Sequence, residues 1–342
     1  MKKLFVTGAF AMVTALGVSG AFSQEEGPPM WAWGVTTPAP PPGTPAPAAA
    51  PAPAAAAKPA DPTLLSVPGS NYQFTAAQVT ARFAPADWFP EDHPQMSPVV
   101  AHGNENAKPQ VWACGFCHMP NGKGRPENAN LAGLPHSYIV QQLYDFKTGL
   151  RKSSDPRKAN TQLMIDFAKG MTKAEIFEAA TYFSSLPSTP WVKVIESDTA
   201  PKTVARGGIF LTLEGKDAGT EPLGDRIIET PVSTYDFEVT RNPRSGFVAY
   251  VPKGSVKKGE DIVRTGGTKT TPCTECHGQD LRGTDKFPPL AGRSPSYMVR
   301  ALYDMQSRNR GGIGSVEMEP VLIGLSNEDF LNIAAYLASL EP

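Results

Sequence analysis

All four cysteines of this 342-residue chain sit in two stretches of one form, CGFCH from Cys114 and CTECH from Cys273. The second stretch lies 159 positions after the first, and the likeness reaches well beyond the cysteines. At the same spacing LAGLPHSYIVQQLYDF, from Leu131, falls on LAGRSPSYMVRALYDM, from Leu290, so that Tyr138 meets Tyr297 and Arg151 meets Arg310. The spacing then drops to 154, which leaves the first copy with a loop five residues longer. Beyond it MIDFAKGMTKAEIFEAATYFSSL, from Met164, aligns with MEPVLIGLSNEDFLNIAAYLASL, from Met318. A chain that contains itself twice is expected to fold as two similar units.

Each copy reads as helical. Thr172 with Glu175, and Ser326 with Asp329, spell capping boxes, in which a hydroxyl takes an orphan N–H and a carboxylate reaches back to the cap. Apolar residues follow at helical spacing, as at Ile176, Ala179, Ala180 and Phe183. A second helix is predicted over 137–146 and 296–305, and a short one leading into each CxxCH, most visibly over 259–264. Neither copy has strand-like alternation. Units this short hardly bury a sufficient core unaided, so a large apolar group is expected to fill the middle.

CxxCH is the attachment signature of haem c. Two thiols at this spacing reach the two vinyl groups on one edge of the porphyrin, and the next residue presents an imidazole to the iron. Cys114, Cys117, Cys273 and Cys276 are therefore the attachment residues, and His118 and His277 the proximal ligands. A thioredoxin-like pair needs a βαβ context and no histidine. A structural zinc site needs a fourth ligand, and neither copy offers a nearby one of the usual kind. A CxxC disulfide cannot staple remote segments. For the sixth ligand the candidates are Met164 and Met171 in the first copy, and Met298, Met305 and Met318 in the second. The repeat selects Met164 and Met318, expected in loops just before the last helix, because Met171 aligns with Leu325. Met119 adjoins the proximal histidine and cannot reach the opposite haem face. His93, His102 and His136 read as surface or hydrogen-bonding residues, with His93 or His102 as substitutes for Met164 in an alternative. His/Met coordination leaves no open position and raises the reduction potential.

The order CxxCH, LAG…Y…LYDF…R, then Met followed by a capped AAYxxSL helix, resembles the class I cytochromes c. The tandem is similar to the dihaem cytochromes of the c4 type, over roughly 107–187 and 254–342. The resemblance implies two covalently bound haem c groups and periplasmic one-electron transfer, from a dehydrogenase or the bc complex towards a terminal oxidase. It also implies that the carbonyl of Pro288 accepts a hydrogen bond from the proximal His277, with Ala129 in the matching place of the first copy. Tyr138, Tyr297, Arg151 and Arg310 are implied as neighbours of the haem edge or propionates. The family linker is short, whereas here 189–252 intervenes, with WVKVIE, RIIE, FEV and FVAYV as strand-like runs. That insertion speaks against the close propionate-to-propionate packing usual in the family, and reads as a β-rich connector over both domains or as a docking surface.

The expected architecture is mainly α: two class I cytochrome c domains in tandem, a long partly β connector, and a disordered Ala/Pro-rich N-terminal spacer. The boundaries follow as 1–23 signal peptide, 24–70 spacer, 71–188 domain 1, 189–252 connector and 253–342 domain 2. Lys2 and Lys3 precede an apolar run over 4–22 and small residues near Ser23, the pattern of an export signal. Residues 38–62, PAPPPGTPAPAAAPAPAAAAKPADP, form a polyproline-like tether, since proline fixes φ and removes donors. MWAWG ahead of it suggests attachment to something. The net charge of −1 excludes the basic footprint of a nucleic-acid binder, and no transmembrane segment is expected after signal cleavage. The partners expected are redox proteins. Two alternatives stand beside the soluble carrier: a dedicated haem subunit of a periplasmic dehydrogenase, and a dihaem redox enzyme of peroxidase or thiosulfate-oxidising type.

Overall fold

The computed structural model describes residues 27–37 and 61–342; the export signal and most of the Ala/Pro tether lie outside them. Residues 27–37 make one tight turn over Met30–Trp33, closed by Gly34 at φ 64. A Cβ at Gly34 would stand 2.3 Å from the carbonyl carbon of Gly208, so only glycine lets the segment lie down there. Ala32 and Trp33 are buried.

The first unit opens with a hairpin. Strand β1 (Leu64–Ser66) pairs antiparallel with β2 (Gln73–Thr75), and a Thr75–Gln78 capping box starts α1 (Ala76–Val79). Val67, Val79, Trp88 and Phe89 close a small core of their own, and the Trp88 indole N–H donates to the Thr240 carbonyl at 2.7 Å. Then come α2 (Pro98–Ala101), α3 (Cys114–His118), α4 (His136–Thr148), α5 (Ala159–Gly170) and α6 (Lys173–Ser185). The Thr172–Glu175 box caps α6, whose Ile176, Ala179, Ala180 and Phe183 pack with Ile139 and Leu143 of α4 in one core.

The connector is mostly strands: β3 (Val192–Glu196), β4 (Thr199–Pro201), β5 (Thr203–Arg206), β6 (Ile209–Thr212), β7 (Thr220–Pro222), β8 (Ile228–Pro231) and β9 (Phe247–Val251). β9 is central in a three-stranded sheet, parallel to β3 and antiparallel to β8. β5 and β6 form a hairpin, and β4 pairs with β7. FEV is not a strand: Asp236–Thr240 is a single π-helical turn, its entry held by Ser233, whose hydroxyl accepts from the Asp236 N–H at 3.1 Å. Its apolar alternation reads as a strand, but β8 and β9 take the sheet positions on either side.

The second unit runs α7 (Ser255–Thr265), α8 (Thr274–His277), α9 (Pro295–Gln306), α10 (Ile313–Leu322) and α11 (Asn327–Ser339). α11, capped by Ser326 with Asp329, packs across α7 at Gly259. A Cβ at Gly259 would lie 1.9 Å from the Asn332 carbonyl oxygen, so glycine sets how close these helices approach.

The two units meet directly, although a long connector joins them. Arg151 and Arg310 form an antiparallel bridge, the Lys152 N–H donates to Asn309 at 2.7 Å, and the buried Arg293 donates to the carbonyls of Asn130 and Ala132. The connector lies over the outside of both units: Asn121 donates to the Pro243 carbonyl at 2.9 Å, and Ser294 to Glu229 at 2.7 Å. Within the stretch read as spacer, Ala32, Trp33 and Val67 are buried. Met30–Trp33 lies against α9, where Arg300 donates to the Ala32 carbonyl and Trp33 meets Tyr303 edge-on at 5.7 Å. The Trp33 indole donates to Ser153 of the first unit at 2.9 Å. Two tryptophans in five residues are worth burying, and the molecule buries Trp33 in its own seam.

Candidate cofactor sites

Both CxxCH motifs sit on single helical turns that present the histidine inward. His118 on α3 and His277 on α8 are buried. The Nδ1 of His118 lies 2.8 Å from the Ala129 carbonyl, and that of His277 lies 2.8 Å from the Pro288 carbonyl. A carbonyl only accepts, so in each ring Nδ1 carries the hydrogen and Nε2 keeps its lone pair for a metal. Burial pushes both imidazoles below their ordinary pKa against those hydrogen bonds, which keeps the rings neutral as a metal requires. Phe183 stands edge-on to His118 at 6.0 Å and Phe287 flanks His277 at 5.9 Å. The four thiols are free rather than paired. Burial pushes Cys114 up to about 12 and Cys273 to about 11.

A cavity of about 1320 Å³, counted to its mouth, opens in front of Cys114, Cys117 and His118. Its apolar wall includes Leu134, Ile139, Leu143, Phe146 and Phe167, and both Met164 and Met171 line it. Met164 lies within α5 and Met318 within α10, not in loops. The stretches before the last helix carry enough Ala, Gln, Leu, Glu and Met to stay helical, α10 even across Pro320. Met318 packs against the core of the second unit, whereas Met298 is itself a core residue of α9. Met119 is buried at the end of α3 and does not line the cavity.

Histidines outside the motifs are engaged elsewhere. Nε2 of His93 lies 3.2 Å from Asp87, and Nδ1 of His102 lies 3.3 Å from the Phe83 carbonyl. His136 packs on Phe177. None of the three lines the cavity.

The polar part of the wall is built by both units. Arg310 donates to the Tyr138 hydroxyl at 2.6 Å, while Arg151 donates to the Tyr297 hydroxyl at 3.3 Å. Each arginine thus bonds the tyrosine of the other unit, and both also donate to the side-chain Oε1 of Gln142, Arg151 at 2.8 Å and Arg310 at 2.9 Å. Burial raises the Tyr297 phenol, but Arg151 and Arg310 outweigh it and bring it to about 8. Ser154 donates to Asp304 at 2.6 Å across the same seam. The sequence reading missed Gln142, Lys158 and Arg300, all of which line the cavity. Gln142 aligns with Ala301 and Arg300 with Gln141, so the repeat gives no signal for them. Lys158 lies in the longer loop of the first copy, the one place where the copies differ in length.

These residues fit a haem: an apolar cavity, two half-buried unpaired thiols, a neutral imidazole with a free Nε2, a thioether on the same wall and a cationic rim. Among the described residues no cluster of three or more His, Cys, Asp or Glu side chains forms an alternative metal site.

No protein-family model matches the chain. The cytochrome c-554(548) of Halomonas halodenitrificans is 35% identical over 89 residues, 26% of this chain and 99% of that protein. A cytochrome c4 of Pseudomonas aeruginosa is 36% identical over 75 residues, 22% of this chain and 36% of that protein. The thiosulfate dehydrogenase electron acceptor of Thiomonas intermedia is 24% identical over 239 residues, 68% of this chain and 81% of its own length.

Proposed function

We propose that this chain, which belongs to the class I cytochromes c in their tandem dihaem, cytochrome c4-like form, passes single electrons between a donor and an acceptor protein. It carries two covalently bound haem c groups. Each would supply one-electron redox chemistry at its iron. Cys114 and Cys117, and Cys273 and Cys276, form the thioethers. His118 and His277 ligate through Nε2, and Met164 and Met318 provide the sulfur. The Ala129 and Pro288 carbonyls hold each ring in one tautomer and raise its basicity. Tyr138, Tyr297, Arg151 and Arg310 line the polar edge and accommodate the carboxylates.

The observation that carries this reading is the matched pair of Nδ1-to-carbonyl bonds, both 2.8 Å, eleven residues after each proximal histidine. An optical redox titration with an alkaline pyridine spectrum tests it. Two haems per chain are expected, with the far-red band of Met–Fe(III) at both. Fewer haems, or no such band, overturns it.

The site of action is the periplasm, with the donor a dehydrogenase or the bc complex and the acceptor a protein such as a terminal oxidase. No helix among the described residues is long and apolar enough to cross a membrane. A second reading, a dedicated electron-accepting subunit of a dehydrogenase, is favoured by the breadth of the match to the thiosulfate dehydrogenase electron acceptor. Stable co-purification with a catalytic subunit supports it, and equal reduction of many oxidases by a strict monomer counts against it. A catalytic dihaem role, of peroxidase or thiosulfate-oxidising type, requires a displaceable ligand. His93 and His102, the candidate replacements for Met164, are bonded to Asp87 and Phe83 instead. Cyanide binding at one haem is the test of that role.

A further inference from the structure

Among the described residues, one cation in the wall of the first cavity, Lys158, has no hydrogen-bond partner. Lys158 is 7% exposed, and its Nζ makes no hydrogen bond. Of the acids around it, Asp155 pairs with Arg157 at 2.6 Å and Asp304 accepts from Ser154, while Glu127 reaches Arg125 at 3.5 Å through Oε1 and its buried Oε2 bonds neither Lys158 nor any other group among the described residues. A buried, unpaired ammonium is costly, and it pushes the lysine well below its ordinary pKa. Such a group is explained when a ligand brings the missing charge. The wall it belongs to also holds Ser153, Asn160, Arg151 and Arg310, and the group this cavity fits carries two carboxylates.

The second unit has nothing to match. Lys158 lies between the two registers of the repeat, where 159 positions on stands Glu317 and 154 positions on stands Gly312. The whole corresponding stretch, GGIGSVE, contains no Lys or Arg, and its Glu317 pairs with Lys286 at 3.2 Å.

We propose that Lys158 is the counter-ion of a propionate of the first haem, and that its charge makes the first haem the preferred seat of an electron shared between the two. The inference rests on the His/Met dihaem reading above. The step it biases is a transfer of one electron from Fe(II) of the second unit to Fe(III) of the first, with no proton and no bond made or broken. A fixed positive charge favours the iron with less positive charge, so it raises the potential of the nearer haem. Lys158 is a positioning and tuning residue rather than a ligand.

The test is a spectroelectrochemical titration of the full holoprotein and its Lys158→Met, Lys158→Gln and Lys158→Arg variants. Met164→His and Met318→His assign each step to its unit. Resonance Raman of the propionate bending mode provides a second readout. Lys158→Met and Lys158→Gln should shift electron sharing away from the first haem by roughly tenfold, about 59 mV for one electron. Lys158→Arg should restore it, and the Raman mode should follow the charge. If the Met variant does not load haem, the Gln and Arg variants decide. An unmoved first-haem potential, a shift confined to the second haem, or equal behaviour of the Arg and Gln variants overturns the inference. If two haems and both far-red bands are present, that failure leaves the dihaem reading intact; their absence sinks the reading itself.

Discussion

At the scale of single residues, two unlike side chains serve one purpose. Proline at 288 and alanine at 129 both place a carbonyl 2.8 Å from an imidazole Nδ1. The bond belongs to the backbone, so Pro288→Ala should keep the far-red band and the second-haem potential. It should lower stability by only about 0.4–1 kcal/mol, through a freer unfolded chain; denaturant melts check this. Met164→Ala and Met318→Ala should each remove about half of the far-red absorbance and lower one potential, since a soft sulfur ligand favours the reduced iron. Spectra of the two variants that each lose the whole band would contradict the assignment. The attachment cysteines and proximal histidines were legible because covalent chemistry fixes their spacing. Gln142 and Lys158 were not, because their roles depend on which surfaces the fold brings together, and one copy of the repeat says nothing about the other.

Helices and turns obey local rules more closely than seams do. Capping boxes at Thr172 and Ser326 form as spelled, and the hydroxyls accept from Glu175 and Asp329 N–H at 3.2 Å each. Burial pushes both carboxyls up, yet hydrogen bonds from Thr172 and Asn104, and from Lys269 and Ser326, bring them below their ordinary 4.5 and 3.8. Depressed folded-state values mean that the contribution is complete above pH 4.5 and 3.8 and disappears as acid titrates each group in the folded protein. Asp329→Asn should therefore lower the melting temperature at neutral pH, and the difference from the parent should vanish on acidification below the folded-state pKa. FEV misled because period-two alternation over three residues cannot outvote a missing edge partner. MWAW was read as a hook for something else because its partners, Ser153, Arg300 and Tyr303, are distant in sequence. Trp33→Ala should cost about 3–5 kcal/mol, the usual toll of a fully buried tryptophan, and raise proteolysis at the seam between the units.

For the molecule as a whole, the length of the connector says little about how far apart the units sit. Sixty-odd residues between two units suggest separation, yet β3, β8 and β9 fold back over the outside while the inner faces meet through Arg151 and Arg310. A linker's length bounds how far its ends can part; it does not say that they do. Hydrogen bonds to a charged donor contribute about 1.5–3 kcal/mol, and several cross this seam. Thermal unfolding followed separately at the two haem signals should therefore give coincident curves; two resolved transitions would contradict it. The exchange of arginines between units has a practical corollary. Cutting the chain into halves would strip each tyrosine hydroxyl of its arginine donor, so properties measured on separately expressed fragments would not sum to those of the intact protein, and a graft of either half onto a foreign cytochrome would import an unfinished wall.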